Sequence, residues 1–488
     1  MSYSEPVICA GFVDTHPVSF EYTSTRYSNQ LKYTYQQEHH SVLIDSRDLV
    51  GVVADSTKEG KSYCVLYLDK VPPDAKIPSI PTLRSASARD LPQEFVDKYA
   101  VQAFRNILRR EERNDDGEPN IHVIVSVLSG VGLATNFHES VLRPILDRIP
   151  LRADIDYKIH YTESSDTITD LTKNRLLPRA EAGVAQHIVL LSGDGGVVDV
   201  INALLTPSPS SSYVPPTISL LALGTGNALA HSTGITADDT LGLSTLALGS
   251  AKQLPLLKAT FSPGALALAD EASRKESLPA TVRTKAPDGT EVDAPTMYGA
   301  VVASWGLHAA LVADSDTAEY RKHGVQRFAM AANANLFPAD GSPTHPYQAQ
   351  VSVLRSLPES GGEEEWEPIK RETHAYVLAT LVSNLEKEFT ISPASKPLSG
   401  TLHLVEFGPM NGTEVMRVMG LAYQGGKHVD EEVVGYHEVE GVRIDFKDGE
   451  KDERFRRICI DGTIIVVEQG GWVEIQKENR KVVELVGP

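Results

Sequence analysis

Two glycine-rich stretches hold the residues best suited to chemistry: Ser192-Gly193-Asp194-Gly195-Gly196 and Gly224-Thr225-Gly226-Asn227. Glycine lets a backbone turn sharply and lets its N–H groups come close to an anion. A helix opening directly after such a turn adds favourable partial charge for a phosphate. Each stretch follows a short apolar run, residues 187–191 and 218–223, and a third glycine turn at Ser129-Gly130 follows residues 122–128. Three such turns at strand ends point to a nucleotide-phosphate site. Asp194 would repel a phosphate unless it has its own task, and two tasks fit: holding Mg2+, or accepting a proton from an attacking hydroxyl. Its plain alternative is a turn aspartate bonding its own backbone. Other nucleotide and hydrolase signatures are missing. There is no GxxxxGK[ST], Leu229 stands where GxGxxG needs its third glycine, and no HRD, DFG or GxSxG occurs.

The elements that must position these turns divide into three stretches. Residues 119–255 alternate apolar strand-like runs with amphipathic helical ones, which implies a parallel sheet covered on both faces. Residues 256–488 carry many short β-prone runs between Gly- and Pro-rich turns, the pattern of a β-sandwich or similar all-β body. Residues 1–118 read as an accessory segment of short strands ending in a helix over 91–110, with the polar run 111–120 as a linker. The expected architecture is α/β plus all-β.

Composition sets the outer limits. The 488 residues are 41% hydrophobic and 23% charged, ordinary for a globular protein of two or three domains. A formal charge of −19 argues against a nucleic-acid partner. Cys9, Cys64 and Cys459 form no CxxC pair, which fits a reducing, cytoplasmic setting. No apolar run is long enough to span a bilayer, and the first residues lack the pattern of a signal peptide.

SGDGGVVDVINALL (192–205) and LGTGNALAHS (223–232) closely resemble the two signature motifs of the diacylglycerol-kinase-like catalytic domain. The likeness extends towards the sphingosine kinases. SVLSGVGLA (126–134) resembles their phosphate loop, and YTE (161–163) resembles their LTE. ASWGLHAALVADSDTAEYRKHGVQRF (303–328), GTLHLVEF (400–407), GGKH (425–428) and IDG (460–462) then follow that family's order.

The resemblance implies a three-layer α/β ATP-binding domain, a β-sandwich lipid-binding domain and an active site in the cleft between them. It implies phosphoryl transfer from Mg·ATP to a primary hydroxyl of a sphingoid long-chain base, by a peripheral enzyme that visits membranes. Asp194 matches the catalytic aspartate. Ser129, Gly130, Thr162, Ser192, Gly193, Gly195, Gly224, Thr225 and Gly226 match the nucleotide-binding turns. Arg321 and Arg327 match two arginines that reach the phosphates, and Asp461 opens the family's carboxyl-terminal nucleotide motif. Asp314 or Asp316 matches the carboxylate that recognises the head group; counting from Trp305 or from Tyr320 gives different answers.

The chain also departs from the family. Ser126-Val127 replaces Asn-Pro, Val131 and Leu133 replace basic residues, Asp199 replaces a glutamate, and Thr463 replaces the glutamate of Asp-Gly-Glu. Diacylglycerol or ceramide remain alternative substrates, and a lipid-binding or scaffold protein without turnover is the alternative of another class.

Overall fold

The computed structural model describes residues 6–25, 29–37, 40–54, 62–71, 79–101, 117–149, 151–205, 209–278, 280–356, 365–447 and 449–488. Near the amino terminus, period-two alternation places Val18, Phe20 and Tyr22 of strand His16–Ser24 on one buried face, beside Leu31 and Tyr33 of strand Asn29–Tyr35. Seven antiparallel strands form this sheet, from Val7–Val13 to Thr82–Arg89, and those two strands pair with each other. Helix Gln93–Tyr99 lays Phe95, Val96 and Tyr99 on the buried face.

The helix expected over 91–110 ends earlier than its apolar spacing suggests. Ala100 is extended, and the Val101 N–H donates to the Val52 carbonyl at 2.8 Å, so the edge strand Leu49–Ala54 captures the chain. The remainder of that helix and most of the linker lie outside the described residues.

The parallel sheet forms as the alternation requires. Tyr157–Tyr161, Ile121–Val125, His187–Ser192 and Thr217–Ala222 lie side by side and in parallel. Along His187–Ser192, Ile188 and Leu190 enter one core with Ile168, Val197 and Ile201. Val189 and Leu191 enter another with Phe137, Val141 and Leu246. Both faces are therefore covered by helices, and the second core also takes Val50, Leu66 and Leu68 from the amino-terminal sheet.

A strand from the far end of the chain completes this sheet. Glu484–Gly487 pairs in parallel with Thr217–Ala222 and antiparallel with Ser250–Gln253. Division into consecutive stretches gives no hint of that return.

Beyond residue 255, antiparallel sheets of seven and eight strands share one core. Phe261, Val351, Ile444 and Val473 come from the first sheet; Trp305, Val377, Leu404 and Ile460 come from the second. An all-β body was expected here, and the structure corrects this. Helices Leu307–Ser315, Ala318–Arg321, Gln326–Leu336 and Gly412–Gly420 interrupt the strands. The outer face of the eight-stranded sheet shows why. Tyr376, Leu378, Val405 and Phe407 remain apolar there and share a core with helix Gly412–Gly420 and with the parallel sheet. Among the described residues no helix is long and apolar enough to cross a membrane.

Candidate active site

A cleft of about 980 Å³ runs between the carboxyl ends of the parallel strands and the helices beyond residue 306. All three glycine turns open into it. They touch one another through backbone, which is possible only because side chains are missing. A Cβ at Gly193 would lie 2.8 Å from the Gly224 Cα, and one at Gly224 would run into Gly193. A Cβ at Gly130, where φ is +58°, would strike the Leu223 carbonyl oxygen. Ser129 Oγ accepts the Gly193 N–H at 3.1 Å and ties the first turn to the second. Asn227, in left-handed backbone at φ 51°, uses its amide to grip Gly224: Oδ1 accepts the Gly224 N–H at 2.9 Å, and Nδ2 donates to its carbonyl at 3.0 Å. Asn227 belongs to the second motif, and the fold shows its task. Asparagine's tolerance for left-handed backbone is the signal that could have found it.

Asp194 opens helix Asp194–Leu204 where these turns meet. Its Oδ2 accepts the Ala228 N–H at 2.8 Å, and its Oδ1 accepts the Leu229 N–H at 3.0 Å. Burial pushes its carboxyl above the ordinary aspartate value, against the opposing pull of those amides. Thr162 Oγ1 accepts the Val127 N–H at 2.9 Å, a bond that the family's proline could not donate. The Ser126-Val127 departure thus gives the loop a clasp of its own. Ser192, Gly195, Thr225 and Gly226 complete the lining at this end.

Asp461 reaches the same cleft from the turn after strand Arg457–Ile460, with φ at 46°. Its carboxylate accepts from Ala300 N at 2.5 Å, Val301 N at 3.1 Å and Val302 N at 2.5 Å. Burial pushes it up to about 7 despite those amides, and neighbouring Asp194 adds to the rise. Both oxygens are occupied in clamping the entry to strand Val302–Gly306.

The two head-group candidates separate in space. Asp316 lines the cleft, where Arg321 pairs with it at 3.0 Å and Arg327 at 3.4 Å. Asp314 is corrected as a cleft residue. It is not part of the lining, and it pairs instead with Arg454 at 2.8 Å, Arg457 at 3.0 Å and Asn335 at 3.1 Å. The physical reason is the helix Leu307–Ser315, on which a shift of two positions turns a side chain through more than half a revolution. Arg321 and Arg327 line the cleft and are both directed at Asp316.

Several lining residues went unread in the sequence. Leu311, Phe328, Phe389 and Met419 give the cleft an apolar wall. His308 Nδ1 lies 2.7 Å from Ser304 Oγ, and burial pushes this imidazole down to about 4, so it is neutral near pH 7. These residues come from four distant segments, and no local spacing connects them. In all, six carboxylate residues line the cleft (Glu163, Asp194, Asp199, Asp316, Glu386 and Asp461) against two arginines. Among the described residues no group of three or more His, Cys, Asp or Glu could hold a metal ion, and Asp194 has both oxygens engaged. The Mg2+ implied by the resemblance would arrive on the ATP phosphates, where one or two carboxylates suffice to hold it.

Asp199 makes the acidity of the cleft measurable. Burial pushes its carboxyl up to about 7, and nearby Asp166 adds to the rise. The folded state therefore binds this proton more tightly than the unfolded chain does. Its contribution to stability is complete below the unfolded value near 4 and is lost as pH rises through 7. Asp199→Asn should raise the melting temperature at pH 8 and leave it nearly unchanged at pH 4. Thermal unfolding at both pH values checks this, and an equal change at both would defeat it.

Residues 120–259 match the model of the diacylglycerol kinase catalytic domain. Sphingosine kinase 1 of Homo sapiens is 23% identical over 374 residues, covering 71% of this chain and 86% of that one. Sphingosine kinase 1 of Rattus norvegicus is 24% identical over 338 residues, covering 63% and 77%. Among solved structures, a putative diacylglycerol kinase from Bacillus anthracis str. Sterne aligns at a TM-score of 0.48 with 13% identity, over 76% of this chain and 96% of that one.

Proposed function

We propose, from the premise that this chain carries a diacylglycerol kinase catalytic domain and is related to the sphingosine kinases, that it transfers the γ-phosphoryl group of ATP to the primary hydroxyl of a sphingoid long-chain base. The observation that carries this reading is Asp194 at the meeting point of three glycine turns, in a cleft that also has an apolar wall.

The lipid hydroxyl attacks the γ-phosphorus as its proton passes to Asp194. The new P–O bond forms while the bond from the γ-phosphorus to the bridging oxygen breaks, and ADP leaves with that electron pair. A raised carboxyl affinity for protons suits Asp194 to this exchange. Backbone N–H groups of the glycine turns offer donors to the phosphates. Arg321 and Arg327 lie within the same cleft and would leave Asp316 to meet the transferring group.

The choice of lipid rests on charge and shape. Glu163 and Glu386 line the cleft outside the cluster of Asp316 with Arg321 and Arg327, which favours an ammonium-bearing lipid over neutral diacylglycerol or ceramide. Leu311, Phe328, Phe389 and Met419 offer an apolar bed for the chain. Val325, Met416 and Tyr423 line the cleft and are 43%, 47% and 53% exposed, which suits an enzyme that meets its substrate at a bilayer surface.

The purified protein, incubated with radiolabelled ATP, Mg2+ and a panel of sphinganine, ceramide and diacylglycerol, should label sphinganine most strongly. Absence of any lipid product would overturn the kinase reading and favour a binding protein without turnover. A preference for diacylglycerol would overturn the choice of substrate alone.

A further inference from the structure

The two carboxylates that matched the head-group position are both committed to arginines. Asp314 is held outside the cleft by Arg454 and Arg457, and Asp316 is held within it by Arg321 and Arg327. Glu386 is in a different position. It lines the cleft, and among the described residues its carboxylate takes one hydrogen bond, a long one from the Tyr423 hydroxyl at 3.5 Å. Burial pushes its carboxyl above the ordinary glutamate value, the Tyr423 hydroxyl opposes this, and among the described residues no cation offsets the rise.

Its placement is firm. Strand Asn384–Glu386 pairs with Phe389–Thr390 in a small hairpin. The Ser232 hydroxyl fixes that hairpin to helix Ala228–Thr233 by donating to the Asn384 carbonyl at 3.0 Å and accepting its N–H at 2.9 Å. The Leu385 carbonyl consequently lies 3.5 Å from where a Cβ of Gly226 would sit. On the other side, Phe389 and Tyr423 meet edge to face at 4.9 Å and line the cleft, Phe389 within the apolar wall. Glu386 thus stands at the junction of the glycine turns and the apolar wall. In a long-chain base the ammonium and the hydroxyl to be phosphorylated stand on adjacent carbons, so an ammonium at that junction keeps the hydroxyl close to the glycine turns.

We infer that Glu386 is the counter-ion for the substrate ammonium, and thereby the residue that selects an amine-bearing lipid over a neutral one. The inference rests on the kinase reading above and adds a residue to it. A carboxylate held in a poorly solvated cleft without a cation is unfavourable, and an arriving ammonium relieves that cost through a charge-assisted hydrogen bond. A neutral N-acylated lipid has no charge to offer and leaves the carboxylate unpaired.

The test compares Glu386→Gln with the parent protein on sphinganine and on its N-acetyl derivative. Glu386→Gln should raise KM for sphinganine about tenfold or more, leave KM for ATP within about twofold, and leave use of the N-acetyl lipid unchanged or improved. Glu386→Asp, which restores the charge, should recover part of the loss. Equal losses on both lipids, or an unchanged KM for sphinganine, would overturn the inference. It would also fall if Asp316→Asn, measured alongside, gave the amine-selective loss instead. If the parent protein phosphorylated neither lipid, the kinase reading itself would have failed, and that outcome is read before any variant is made.

Discussion

Asp194→Asn should lower kcat by about 10²-fold or more while ATP still binds. The expectation follows from how the side chain is held. Two backbone N–H groups, from Ala228 and Leu229, fix the carboxylate plane at 2.8 and 3.0 Å, so its orientation does not depend on a bound ligand. Asparagine retains one oxygen for one of these amides but turns an NH2 group towards the other, and it cannot take up a proton from an alcohol. The loss should therefore appear in turnover, with a modest cost in stability from the mismatched donor. Single-turnover phosphorylation, measured beside ATP binding and a melting curve, separates these effects. Turnover within about threefold of the parent protein, with ATP binding intact, would remove Asp194 from proton transfer.

The second large effect concerns a residue with no side chain. Gly224→Ala places a methyl group against the Gly193 backbone and 2.8 Å from Asn227 Oδ1, and neither neighbour is a flexible side-chain end that can swing away. Asn227 is itself anchored by its bonds to Gly224, so the strain must move one turn relative to the other. A displacement of about 1 Å in a site of this kind costs on the order of 10²-fold in rate, and overpacking adds about 1–3 kcal/mol of instability. Gly195→Ala is the matched control. A Cβ there meets no atom within 4 Å, so the protein should fold as before, and any change should appear in ATP use alone. ATP titrations and melting curves of both variants test the contrast. If Gly224→Ala behaved like Gly195→Ala, the contact between the turns would have no part in shaping the site.

How far the site was legible varied residue by residue. Asp194 and the glycine turns could be read because their chemistry is local: a strand end, a tight bend and a helix start are encoded within about ten consecutive residues. Asp199 could be identified as a departure from the family, but not its high proton affinity, which comes from burial and from Asp166. Asp314 and Asp316 could not be told apart, because the choice depends on the helical phase of Leu307–Ser315 and on which arginines arrive from elsewhere. Asp461 carried a motif match, yet its engagement with the amides of Ala300, Val301 and Val302 joins residues some 160 positions apart. Glu386 had no signature of any kind.

The amino-acid sequence alone determined the parallel sheet, the three glycine bends and the carboxylate set between them, since apolar periodicity and glycine placement act over short distances along the chain. Tertiary structure decided the rest. It ran the last strand, Glu484–Gly487, back beside Thr217–Ala222, and it set helices among the strands beyond residue 255 to cover the apolar outer face of the eight-stranded sheet. It also left Glu386 lining the cleft with no paired cation among the described residues. The physical reason is that burial and charge pairing depend on what meets in space, and the residues lining this cleft between Ser126 and Thr463 come from segments that share no local pattern.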